Sequence, residues 1–305
     1  MLVKRGDNLV LRASYGTLSL LGLVKNSKIK MDTAYFMLDG RCMFNCAFCA
    51  HARDARTENK FLSRIVWKEI SVDMIEKLDV KRICLQVVSY KGYKEDLENL
   101  LLKLNGKKVS VSVRALSMKE IDRYFELGAD AIGLSFDVVN KELFEKIRGG
   151  KFENTLELIK NAAKKYPGHI TTHVIVGLGE TDKELIEFFY MMKELNVLVA
   201  LFSFTPIKGT AFENLPSPSM ERYRKIQLAR YLIFEEDVPK DVFVFNKERL
   251  EKINYPFKKG IGKAFLTSGC SHCTRPYYNE KPSKEPYNYF EYANNLEEIA
   301  KKVLE

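Results

Sequence analysis

Long hydrophobic runs are missing from this 305-residue chain, and no uninterrupted apolar stretch reaches the ~20 residues that a membrane helix needs. The nearest candidate, residues 9–24, is broken by Arg12, Ser14, Tyr15 and Gly16, and no small-residue cleavage site follows it. It is expected to be a helix packed on the domain, with no membrane association. Cysteine is sparse: six residues, three in one loop and two in another, do not make a disulfide framework. Histidine is scarcer still, with four residues, and only His51 lies within twenty positions of the three-cysteine loop. No second Cys-x-x-Cys pair lies beside that loop, so the usual donor sets of a zinc site are wanting there. Low-complexity tracts are absent, and no basic run is interleaved with aromatics, so nucleic acid is not an expected partner. The excess of 49 Lys and Arg over 40 Asp and Glu gives +9, spread along the chain. That excess fits a lysine-rich solvated surface, and equally an acidic protein partner or an anionic small substrate.

What is present is a globular composition, 46% hydrophobic and 29% charged, in a chain long enough to bury a full core. From residue 34 onward, short β-branched runs alternate with helical stretches, the pattern of βα units on a parallel sheet. Strands are expected at 34–38, 82–88, 109–113, 131–135, 170–176 and 198–204. Helices are expected at 66–77, 94–104, 118–127, 155–164, 182–195 and 220–234, with Ser117-x-x-Glu120 and Thr181-x-x-Glu184 as capping boxes. Six such repeats predict an α/β fold, a partial (β/α)6 TIM-like barrel whose site lies at the strands' C-terminal ends. The expected division is 1–33 as an N-terminal helical extension, 34–235 as the barrel, and 236–305 as a C-terminal cysteine-bearing extension. The last part holds one more strand at 242–245, a loop-rich stretch with Gly260, Gly262 and Gly269, and a final helix at 295–304.

The run Cys42-Met-Phe-Asn-Cys46-Ala-Phe-Cys49 carries the chemistry. Soft thiolates select iron-sulfur clusters or zinc, and a cubane wants four of them. Three thiolates on one short loop leave one iron open to bind a substrate. The plainer readings are a zinc loop or reduced structural cysteines.

This spacing, with Phe48 before the last cysteine, resembles the radical S-adenosylmethionine (SAM) superfamily. The resemblance implies that the open iron chelates the amino and carboxylate groups of SAM, whose reductive cleavage yields a 5′-deoxyadenosyl radical. It also implies a reducing, cytoplasmic location and a low-potential electron donor such as ferredoxin. Phe48 is then a candidate for the adenine side. Ser135 and Asp137, on one face of the fourth strand, are candidates for the ribose hydroxyls, though an Asp there is also a favoured helix cap. The run Ile175-Val-Gly177-Leu-Gly-Glu180 and the sixth-strand Phe204 resemble the family's adenine-binding motifs. His173 stands where the family usually has glycine. No Gly-Gly-Glu follows Val88, so backbone carbonyls near Gln86 and Val87 are expected to take its place. Arg148 or Lys160 is a candidate partner for the methionine carboxylate, each otherwise an ordinary exposed cation.

Three cysteines remain. Cys84 alternates with Gln86 and Val88 on the second strand, and Cys270-Ser-His-Cys273 is a metal-ligand or redox pair. Cys84 is otherwise a packed core thiol. If the C-terminal loop folds over the barrel mouth, the three converge on a second, auxiliary 4Fe-4S cluster, with Ser271 or His272 as a weak fourth ligand. The stretch 39–210 is similar to biotin synthase, but Ser110 and Thr171 stand where that family has further cluster cysteines. The runs Arg12–Thr17, Thr33-Ala34-Tyr35 and Cys273-Thr-Arg-Pro-Tyr-Tyr-Asn-Glu280 resemble the archaeal two-component lipoyl synthases. That resemblance implies sulfur insertion into an octanoyl chain on an acidic lipoyl-carrier protein, with a second radical SAM subunit as partner. The alternatives are a radical SAM enzyme whose second cluster only transfers electrons, and a non-catalytic iron-sulfur or redox module.

Overall fold

The structure, a computed structural model, describes residues 9–25, 31–63, 65–76, 78–275 and 287–305. The motif residues 276–280 lie outside them. The chain begins with strand β1 (Leu11–Ala13) and a short helix α1 (Tyr15–Leu20), then β2 (Thr33–Leu38). Next come three short strands, β3 (Phe61–Leu62), β4 (Ile65–Val66) and β5 (Lys68–Ile70), and a single turn, α2 (Asp73–Glu76). Regular alternation follows: β6 (Arg82–Val87), α3 (Tyr93–Lys103), β7 (Val109–Val113), α4 (Met118–Glu126) and β8 (Ala129–Asp137). It continues through α5 (Lys141–Leu143), a π-helical turn (Phe144–Arg148), α6 (Phe152–Lys165), β9 (Ile170–Val176), α7 (Asp182–Glu194), β10 (Leu198–Ser203) and α8 (Met220–Glu235). A hairpin, β11 (Phe243–Asn246) with β12 (Arg249–Ile253), and helix α9 (Leu296–Leu304) complete the fold.

The main sheet has eight strands in the order β10-β9-β8-β7-β6-β2-β1-β5. The six strands β2 and β6 to β10 pair in parallel and in sequence order, each joined to the next by helical crossovers. This is the partial barrel that the βα alternation predicts. Two stretches depart from expectation. Residues 9–24 are not one helix: Leu11 and Ala13 are fully buried and pair antiparallel with β2, leaving only α1 helical. The N-terminal stretch therefore extends the barrel sheet. Residues 66–77 also hold a strand, β5, against β1, because tertiary pairing wins over a weak local helical pattern.

Caps fix where helices start. Thr181 and Glu184 form the full reciprocal box on α7. On α4 only half of it forms: Ser117 accepts from the Glu120 amide, while the buried Glu120 carboxylate turns to Tyr93, Lys94, Tyr124 and the Leu116 amide. Between β8 and the outer helices lies an aromatic cluster in which Phe136, fully buried, meets Phe144, Phe152 and Phe188 at 4.8–5.0 Å between ring centroids. Among the described residues, no helix is long and apolar enough to cross a membrane. Phe136→Ala is expected to cost about 3–5 kcal/mol by opening a cavity in this cluster, read as a lowered urea midpoint with unchanged slope.

Candidate active site

Loops at the C-terminal ends of the parallel strands surround a cavity of about 240 Å³. The 42–49 loop follows β2 directly, and all three of its cysteines line that cavity with Phe48. Local bonds fold the loop: the Phe44 amide donates to Cys42 Sγ at 3.4 Å, the Cys49 amide to the Cys46 carbonyl at 3.0 Å, and the Ala47 amide to the Ile147 carbonyl at 2.7 Å. Burial pushes the Cys49 thiol up to about 12 and the Cys46 thiol upward, opposed at Cys46 by Arg114 and Arg148. Thiolates there need a metal to hold them ionised. Among the described residues, no three His, Cys, Asp or Glu groups gather closely enough for one metal ion.

The wall beside Cys46 is polar. Ser135, Asp137 and Arg148 all line the cavity. Arg148, buried, donates to the Ser135 carbonyl, and its Nε stands 3.4 Å from Asp137 Oδ2, an ion pair without hydrogen-bond alignment. Burial raises the Asp137 carboxyl, with the neighbouring Arg148 and Arg114 acting against it, and lowers the Arg148 guanidinium. Asp137 is not a helix cap, since Asn140 caps α5. A buried arginine and a carboxylate lining one cavity fit a zwitterionic ligand with a ribose.

Gln86, Val87, Ile175 and Phe204 also line the cavity. Gly177 does not; with φ of +104°, it lets the β9 loop pass Pro218, where a Cβ would lie 2.7 Å from Cδ. Glu180 accepts from the Gly177 and Leu178 amides at 2.8 Å each and pairs with Arg222 at 3.0 Å, so it shapes that loop. Lys160 is a correction: it stands exposed on α6, on the outer ring of helices, and takes no part in the cavity. Sequence reasoning missed Arg114, whose Nη1 donates to Cys46 Sγ at 3.5 Å. Its one signal was a cation immediately after a barrel strand.

Cys84, Cys270 and Cys273 do converge, around a second cavity of about 40 Å³. They lie away from the 42–49 loop, but the loop that carries Cys270 and Cys273 does not fold over the barrel mouth. The C-terminal loop closes the other end of the barrel, at the strand starts: Thr33 donates to the His272 carbonyl, and Arg82 donates to both oxygens of Ser271 at 3.1 Å. These contacts occupy Ser271, and His272 faces Asp32 at 3.9 Å, so neither lines the thiol pocket. Donors already face the sulfurs: Gln86 Nε2 to Cys84 at 3.1 Å, and Arg275 Nε and Tyr35 hydroxyl to Cys273 at 3.2 and 3.6 Å. A Cβ on Gly269 would lie 2.7 Å from Cys273 Sγ, so only glycine admits that thiol. Burial pushes the Cys84 thiol up to about 12. Ser110 and Thr171 line the same pocket. Gln86, Ser112 and His173 line both cavities and so stand between them.

Fold and site together define a class: a partial parallel barrel with a three-thiol loop and an ion-paired cleft at its strand ends. The radical SAM superfamily model matches residues 39–191, half of the chain. The chain belongs to the radical SAM superfamily. It is 31% identical over 203 residues to an uncharacterized protein of Methanocaldococcus jannaschii, covering 62% of this chain and 52% of that one. It is 27% identical over 223 residues to the biotin synthase of Thermodesulfovibrio yellowstonii, covering 70% of each. The [FeFe]-hydrogenase maturase HydG shares the fold with a TM-score of 0.53 at 13% identity, covering 72% of this chain and 52% of that one. Methylornithine synthase does so with 0.51 at 15%, covering 66% and 61%. The chain thus spans about half the length of the first of these relatives and of HydG.

His173 gives a pH test of this interior. Its ring faces the cavity beside Ser112 and Phe202, and desolvation followed by the Arg275 charge pushes it down to about 3. The unfolded chain takes up a proton near pH 6.5 that the folded chain refuses, so stability is present above that pH and is lost as pH falls toward 3. In cluster-free protein, His173→Gln is expected to remove at most about 2 kcal/mol of the stability loss between pH 8 and pH 5, by urea unfolding at each pH.

Proposed function

We propose that this radical SAM enzyme inserts sulfur into an octanoyl chain held on a lysine of an acidic lipoyl-carrier domain. The observation that carries the reading is the convergence of Cys84, Cys270 and Cys273 on thiolate-type donors, at the barrel end opposite the 42–49 loop. The likeness to a biotin synthase and the terminal motifs 12–17 and 273–275 support it. A second radical SAM subunit and a low-potential donor such as ferredoxin belong to the same proposal.

Cys42, Cys46 and Cys49 would hold a 4Fe-4S cluster, and Asp137, Arg148 and the walls of Phe48, Ile175 and Phe204 would hold SAM. Bound together, cluster and SAM supply a 5′-deoxyadenosyl radical. The chain's own work is to orient and to keep water out. Met37, Val88 and Phe202 give the interior apolar walls suited to a hydrocarbon chain, and Gln86, Ser112 and His173 stand where both cavities meet. A carbon held beside Gln86, Ser112 and His173 would have Cys42, Cys46 and Cys49 on one side, where a hydrogen could be removed, and Cys84, Cys270 and Cys273 on the other, where a sulfide could be supplied. The sulfur source, a cluster on Cys84, Cys270 and Cys273, is consumed as a substrate.

Anaerobically reconstituted protein is expected to hold about eight irons per chain, and the Cys84→Ser/Cys270→Ser/Cys273→Ser variant about four, the complement of one cubane. The variant should still form 5′-deoxyadenosine but transfer no sulfur to an octanoylated carrier domain. About four irons in the unaltered protein removes the sulfur-insertion reading. Eight irons with no sulfide lost during turnover favours a second cluster that only transfers electrons.

A further inference from the structure

Arg114, the residue directly after β7, joins three parts of the active-site wall. Its guanidinium lies over the Phe44 ring, 3.8 Å from the centroid, and Phe44 stands between Cys42 and Cys46. Nη1 donates to Cys46 Sγ at 3.5 Å and to the Arg148 carbonyl at 3.1 Å, and Nη2 donates to the Gly149 carbonyl at 2.6 Å. Cys46 Sγ also lies 3.3 Å from that Arg148 carbonyl. The same group thus clamps the cysteine loop to the turn that presents Arg148 to Asp137.

A fixed cation with an N–H aimed at a cluster thiolate acts on redox equilibrium. Reduction adds one electron and therefore one negative charge, and the stabilisation of that charge is larger in a water-poor cleft than in solvent. Hydrogen bonds to the sulfurs are among the determinants of cluster potential.

We propose that Arg114 is a positioning residue that raises the reduction potential of the cluster on Cys42, Cys46 and Cys49, bringing it within reach of its electron donor. The step is a one-electron transfer from a low-potential donor to the cluster, with no bond made or broken. The proposal rests on the 42–49 loop holding a 4Fe-4S cluster, and it is independent of sulfur insertion.

The full chain carrying Cys84→Ser, Cys270→Ser and Cys273→Ser leaves one reporting cluster. In that background, Arg114→Gln and Arg114→Lys are compared with Arg114 by iron content and by EPR-monitored redox titration with dithionite. The expected result is a midpoint shifted to more negative potential in Arg114→Gln. At the unaltered protein's midpoint, the ratio of reduced to oxidised cluster should fall about tenfold, the extra strength of the charge-assisted bond in the reduced state. Arg114→Lys, which keeps the charge without the planar fork, should fall between the two. An unchanged midpoint in the loaded fraction of both variants overturns the proposal, whether or not iron content falls, because a purely structural tether would lower loading alone. Should Arg114→Gln hold no iron, Arg114→Lys decides alone: a more negative midpoint supports the proposal, and an unchanged one overturns it.

Discussion

A shortage of one ligand governs this molecule: the 42–49 loop offers three thiols to a cluster with four irons. Everything around the loop serves that shortage. Desolvation holds protons on Cys46 and Cys49, so neither is a ready nucleophile while metal-free. The wall beside the loop supplies a buried arginine ion-paired with a carboxylate, groups that answer the two ends of an amino acid and the hydroxyls of a sugar. The barrel supplies rigidity, because the loop leaves β2 in the middle of the sheet and is pinned to the turn before α6.

The second thiol set obeys different logic. It closes the barrel at its strand starts, the end that in such folds ordinarily serves stability. Here Arg82, Thr33 and Tyr35 tie the C-terminal loop against β2 and β6, so that Cys270 and Cys273 meet Cys84 from below. A substrate lying between the two thiol sets would be approached from opposite ends. Gln86, Ser112 and His173 stand between the two thiol sets, lining the cavity on either side.

Much of this was legible from residue order alone. The six parallel strands announced themselves as β-branched runs between amphipathic stretches, and β7 and β9 fall at the bounds the pattern gives. The loop cysteines needed only their spacing. What escaped was set by distant contacts. Strand β1 looks like part of a helix until β2 and β5 pair with it, and Lys160 looks like a cation free to reach the site until α6 turns it outward. The choice of barrel end for the Cys270–Cys273 loop depends on Arg82 and Thr33, more than 180 residues away in sequence, which no local pattern encodes. Arg114 is invisible for the same reason: its meaning comes from Phe44, Cys46 and Gly149, which only the closed barrel brings to it.

Anomalous diffraction at the iron edge, from crystals grown anaerobically with SAM, tests the account most directly. It should show a multi-iron peak among Cys42, Cys46 and Cys49 with the amino acid end of SAM on the fourth iron, and a second iron peak among Cys84, Cys270 and Cys273. A single-atom tetrahedral peak at the 42–49 loop, with SAM absent from the cleft, would contradict it.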